Sequence, residues 1–181
     1  MRKVMQLALL LGVTALPAAA DPVEGGGDLN PEEMTLERMM RNIERGETSM
    51  TTCASGYFIT KSGRHVEARE LFEACANDGW TGAMTWMSQL EDNGLGGALD
   101  PDGAAEWDRQ AAEAGDPVGQ FNYGLDLMRG RGVAQDEARG RALVDEAARA
   151  GLPVARRLQA ADYDLDEVTP DADNWKYAPV S

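Results

Sequence analysis

Apolar positions recur along the chain at helical spacing, and the stripes they form are separated by glycine-marked turns. Met34, Leu36, Met39, Met40 and Ile43 make the first stripe. Asn30 is placed to cap that helix, with Pro31 at its first position, Glu32 and Glu33 complementing the dipole and Gly46 ending it. Residues 49–60 and 65–77 then read as an antiparallel pair joined at Lys61-Ser62-Gly63-Arg64. Two more pairs follow, 81–92 with 102–114 and 117–129 with 136–150. A last helix, 153–161, opens a pair that does not close.

The pattern is periodic. Gly79, Gly115 and Gly151 fall 36 residues apart (115 − 79 and 151 − 115). Around them Cys75-Ala76, Ala111-Ala112 and Ala147-Ala148 keep a small size class, as do Ala83, Gly119 and Ala155, while Leu71, Trp107 and Leu143 keep a large one. Small residues recur where helix backbones approach and large ones where a gap needs filling, as a stack of helix pairs demands. Gly94-Leu95-Gly96 and Gly130-Arg131-Gly132 repeat at the same offset and mark the loops between helices. The expected fold is all-α, a right-handed α-solenoid of about three antiparallel helix pairs with an N-terminal capping helix and an incomplete C-terminal repeat. Leu71, Phe72, Trp86, Leu90, Trp107, Tyr123 and Leu143 are its expected core.

Four segments follow from composition. Residues 1–20 combine Arg2 and Lys3, a mostly apolar run and Ala18-Ala19-Ala20 before Asp21, which reads as a cleavable signal peptide. Residues 21–30 form a glycine-rich linker, 31–161 the helical repeat domain, and 162–181 an acidic tail solvated by composition. The aromatic pair Trp175 and Tyr177 either packs that tail back onto the open end of the array or meets a partner. The expected product is exported, periplasmic or secreted, with no membrane insertion, since no later segment is apolar for the ~20 residues a spanning helix needs.

Losing the leader moves the formal charge from −14 to −16 (−14 − 2), because residues 1–20 hold two bases and no acid. Such an acidic chain repels phosphates, so nucleic acid is not expected as a partner. Cys53 and Cys75 lie symmetrically about residue 64 ((53 + 75)/2), the turn of the first pair, so the thiols face each other and a disulfide is expected in an oxidising compartment.

Gly119-Gln120-Phe121-Asn122-Tyr123-Gly124, Gly130-Arg131-Gly132-Val133, Asp136, Ala147-Ala148 and Gly151 together resemble the Sel-one-like repeat (SLR) family, a relative of the tetratricopeptide repeats. The unit from Ala83 to Gly115 departs from the motif, with Ser88 where glycine is usual and Gly97 where valine is usual. The resemblance covers roughly 62–158 and implies a binding scaffold, monomeric and without cofactor. Superimposed on the tetratricopeptide groove, the pattern selects Phe121, Leu125, Met128 and Arg129 in one repeat and Thr85, Gln89 and Asp92 in the preceding one. Two readings of the i, i+4, i+7 stripe Phe121, Leu125 and Met128 are open. It lines a groove for a peptide or protein partner, or the C-terminal segment covers it.

The expected function is an exported protein–protein interaction scaffold that regulates an envelope process, with a peptidoglycan or other glycan-binding module as the alternative. Some cysteine-rich relatives have been proposed to act on beta-lactams. Lys61-Ser62-Gly63 is similar to one box of the serine penicilloyl enzymes, but no serine here has a lysine three residues on. His65, the single histidine, opens a helix, so no enzyme activity is expected. Asp162, Asp164, Asp166 and Asp173 space like ligands of a calcium loop, yet Glu167 takes the place of the required glycine, and no metal site is expected.

Overall fold

The computed structural model describes residues 35–168 of the protein. The leader, the linker and the Trp175–Tyr177 pair lie outside the described residues. Those described form eight α-helices and one short 3-10 turn, with no strand among them. In order they are α1 (Leu36–Glu44), α2 (Met50–Lys61), α3 (His65–Asn77), α4 (Thr81–Asp92), α5 (Pro101–Glu113), α6 (Pro117–Arg129), α7 (Glu137–Arg149) and α8 (Pro153–Ala160), followed by the turn Leu165–Val168. From α2 onward these match the expected spans to within one residue at either end. The first helix differs. It begins at Leu36, because Thr35 holds an extended backbone and its hydroxyl accepts from the Arg38 amide at 3.3 Å.

Local chemistry explains the helix starts. Asp100, Asp116 and Asp136 are N-caps whose carboxylates accept amide hydrogens of the first turn, at 3.1 Å from Gly103, 2.8 Å from Val118 and 3.0 Å from Arg139. Each such cap stabilises its helix by about 1 kcal/mol. Pro101 and Pro117 occupy first-turn positions, where a missing amide costs nothing.

Each helix packs on its neighbours in sequence, and α4 also touches α6. The pairs are α2 with α3, α4 with α5, and α6 with α7. Loop glycines lock one pair to the previous one. Gly132 has φ +64, and a Cβ there would lie 2.0 Å from the Pro101 carbonyl oxygen at the start of α5. Gly96, one repeat earlier, has φ +72, and a Cβ there would lie 2.4 Å from the His65 carbonyl oxygen at the start of α3. Left-handed backbone and close approach together admit only glycine at both.

Leu71, Phe72, Leu90 and Tyr123 are buried, as expected. Trp86, Trp107 and Leu143 are only half-buried. Trp107 sits at the edge because its indole donates to Glu91 at 3.3 Å, and Glu91 also accepts from Arg69 of the first pair at 2.6 Å. This partly buried ion pair links the first two repeats, with burial pushing the Glu91 carboxyl above its ordinary range. Cys53 and Cys75 form a disulfide that ties α2 to α3, with a Cα–Cα distance of 5.9 Å.

Candidate functional site

Two clefts open between the first helices of successive pairs, one between α2 and α4 and one between α4 and α6. One is apolar. Met50, Cys53 and Ala54 of α2 line it opposite Gly82, Ala83, Thr85 and Trp86 of α4, with Trp80 at its end and Phe72 at its floor, in a volume of about 320 Å³. Trp86 stacks on Phe72 with ring centres 5.6 Å apart and planes within 4°. Tyr57 meets the Trp86 edge at 5.6 Å and Phe58 at 5.3 Å. Met50, Tyr57 and Phe58 are exposed, at 73%, 42% and 68%. So large an apolar cluster left in water marks a contact surface rather than a stray side chain.

The second cleft is polar, about 260 Å³ in volume. Gln89 and Asp92 of α4 face Asn122, Asp126 and Arg129 of α6, with Arg131 and Val168 at the rim. Arg131 pairs with Asp92 at 3.0 Å. Asp108 lies at the base and accepts from Ser88 at 2.5 Å and Asn122 at 3.1 Å. Burial pushes both Asp108 and Asp126 up to about 7. The Asp92 charge raises Asp126 further, whereas Arg131 and Arg129 hold it down. Arg129 is pushed below its ordinary value by burial, and its Nη2 has no hydrogen-bond partner among the described residues.

Five of the residues selected from the sequence, Gln89, Asp92, Phe121, Leu125 and Arg129, meet at this second cleft. Thr85 lies one turn back on α4, in the apolar cleft. Of the two readings of the stripe, the burial favours the one in which the C-terminal segment covers it. Phe121, Leu125 and Met128 are buried, at 6%, 8% and 4% exposure, in a cluster with Val144, Ala147, Ala155 and Leu158, and Leu165 and Val168 pack against it. Tyr123 and Leu127 are buried on the other side of α6 against Ala112, Val133 and Leu143. The helix is therefore embedded on both sides, and its apolar stripe is core.

At the start of the acidic tail Tyr163, Leu165 and Val168 pack back on the array, while Asp162, Asp164 and Asp166 stay exposed. The Tyr163 hydroxyl donates to Asp145, Arg141 lies over the Tyr163 ring at 4.6 Å, and Leu165 and Val168 lie against the α6–α8 cluster. Alternating apolar residues among the aspartates carry this packing, which acidic composition alone concealed. Among the described residues no group of three or more acids, histidines or cysteines is gathered to hold a metal. Sequence reasoning missed Met50, Tyr57 and Phe58. The loop after α2 is residues 62–64, where the loop after α4 is 93–100, so the 36-residue register slips at the first pair.

The chain matches no protein-family profile and no curated protein. Solved structures are similar to it. A Sel1 repeat protein from Oxalobacter formigenes shares 28% identity at a TM-score of 0.56, over 68% of this chain and 52% of that one. This chain has the Sel1-like repeat fold. The SLR fold recurs in c5321, a protective antigen of uropathogenic Escherichia coli strains, at 20% identity and a TM-score of 0.50 over 72% of this chain and 34% of that one. It recurs again in Helicobacter pylori cysteine rich protein B, at 18% identity and a TM-score of 0.56 over 74% of this chain and 98% of that one. The chain spans about half the length of its Oxalobacter neighbour.

Proposed function

We propose that this Sel1-like repeat protein is an exported, non-catalytic scaffold whose α2–α4–α6 face binds an extended peptide of a protein partner and thereby regulates an envelope process. One observation carries the reading. An exposed aromatic cleft at Met50, Trp80 and Trp86 lies one helical turn along α4 from a charged cleft at Gln89, Asp92 and Arg129. An extended chain crossing both would bury apolar side chains in the first and satisfy backbone or polar groups in the second. The disulfide supports an oxidising location, and among the described residues no helix is long and apolar enough to cross a membrane.

Glycan binding is the second reading, and the exposed Tyr57 ring beside the half-buried Trp86 favours it. Against it, the aromatic cleft is lined by Met50, Cys53, Ala54 and Ala83, with Thr85 as its only polar side chain. Sugar hydroxyls would find few partners there.

The test is a pull-down from envelope extract with the mature, oxidised protein beside Met50→Asp and Val66→Asp, both at exposed positions. A protein captured by wild type and by Val66→Asp but lost with Met50→Asp supports the peptide reading and names the partner. Equal capture by all three removes this face. Retention on peptidoglycan that Met50→Asp abolishes, with no protein captured, favours the second reading.

A further inference from the structure

We infer that the segment 169–181 is the resident occupant of this face, with Trp175 and Tyr177 seated in the apolar cleft, so that an external partner must displace the chain's own C-terminal segment. The inference rests on the reading of the α2–α4–α6 face as a peptide site.

Position is the first argument. Val168, the last described residue, lines the polar cleft beside Gln89 and Asp92. Gln89 and the apolar cleft's Thr85 are one turn apart on α4, ~6 Å by helical rise. Trp175 follows Val168 by seven residues (175 − 168), which extended chain carries ~23 Å. The segment therefore starts on the face in question and has more than the length needed to bring its aromatic pair to Trp86.

Charge is the second argument. Val168 shares the polar cleft with Arg129, whose buried Nη2 lacks a hydrogen-bond partner among the described residues. The segment carries Asp171 and Asp173, between Val168 and Trp175. A carboxylate delivered there would supply the missing acceptor, and a charge-assisted bond to a half-buried guanidinium is among the stronger polar contacts available. Chemistry matches at the far end too: the segment carries Trp175, Tyr177 and Pro179, and the cleft offers Met50, Trp80 and Trp86 beside the exposed Tyr57. A tethered ligand of this length acts at an effective concentration of order mM, so even a weak contact would be filled.

The experiment uses a synthetic, fluorescently labelled peptide of residues 169–181 and three full-length mature chains shown by circular dichroism to be folded. These are wild type, Trp175→Ala/Tyr177→Ala, and that double variant with Met50→Asp. Fluorescence anisotropy should show binding to the double variant, at least tenfold weaker binding to wild type, and none once Met50→Asp is added. Equal affinity for wild type and the double variant overturns the inference, as does binding that ignores Met50→Asp. A concentration-dependent dimer of wild type that the double variant does not form also overturns it, since the segment would then be exchanged between copies. A panel of unrelated aromatic 13-residue peptides separates the two levels of the argument. If the double variant binds panel members through Met50 yet ignores the C-terminal peptide, the peptide site stands and this inference falls; if it binds neither, both fall.

Discussion

Ser88 donates its hydroxyl to the Asp108 carboxylate across the crossing of α4 and α5, at 2.5 Å. One repeat later the equivalent positions are Gly124 and Val144, where α6 and α7 cross. An apolar contact in one repeat is thus a buried hydrogen bond in the other. Ser88 departs from the family motif because its partner departs too, and Asn122 of the following pair supplies the second donor.

Removing one member should show that coupling. Ser88→Gly leaves Asp108 with Asn122 as its remaining donor in a site 3% exposed, and should cost about 1–3 kcal/mol. Asp108→Val alone should cost a similar amount, whereas the double substitution should cost less than the sum. A double-mutant cycle from urea midpoints reads the coupling, and additive losses would show that the two residues act independently.

Stability should also depend on pH in an uncommon direction. Asp108 and Asp126 are pushed up to about 7 by burial in the folded chain, against about 4 when unfolded. Between those values the folded state holds protons that the unfolded state lacks, so stability rises as pH falls from about 8 to about 5. The groups facing the pair oppose one another, with Asp92 raising both carboxyls and Arg129 and Arg131 lowering Asp126. A gain on the order of 2 kcal/mol is expected between these pH values, and Asp126→Asn should remove its own share while Asp108 keeps the rest. A urea midpoint that falls on acidification over this range would contradict the assignment.

Reduction should loosen the first pair before the rest. The Cys53–Cys75 bridge closes a loop of sequence separation 22, worth about 3 kcal/mol in the chain-entropy account. In hydrogen exchange, dithiothreitol or Cys75→Ala should raise amide exchange in α2 and α3 while α6 and α7 keep most of their protection, because a repeat array couples mainly through nearest neighbours. Uniform loss of protection would mean the whole array unfolds as one unit.

Gly140→Ala tests the close crossing of α6 and α7. A Cβ there would lie 2.5 Å from the Gly124 carbonyl oxygen and equally near the Met128 side chain. Forcing α6 and α7 apart should cost about 1–3 kcal/mol, despite alanine's better helix propensity. Thermal unfolding of this variant beside Ala142→Gly, at an exposed position of the same helix, separates the packing cost from propensity.

What the sequence determined here is what local chemistry and spacing determine. Aspartate caps, first-turn prolines and the 36-residue recurrence of small residues set the helix spans and their pairing, and symmetry about residue 64 brought Cys53 to Cys75. Which face of a helix stays open is decided elsewhere. Phe121, Leu125 and Met128 have the spacing of an exposed stripe, but Leu165 and Val168, from a stretch whose aspartates suggest solvent, pack against their cluster. Met50, Tyr57 and Phe58 remain open because no described element lies over them, and a five-residue difference in loop length hid their place in the repeat. Helix formation is local, so a chain of letters reports it. Burial depends on which distant segment arrives to displace water, and that is settled only when the pairs have stacked.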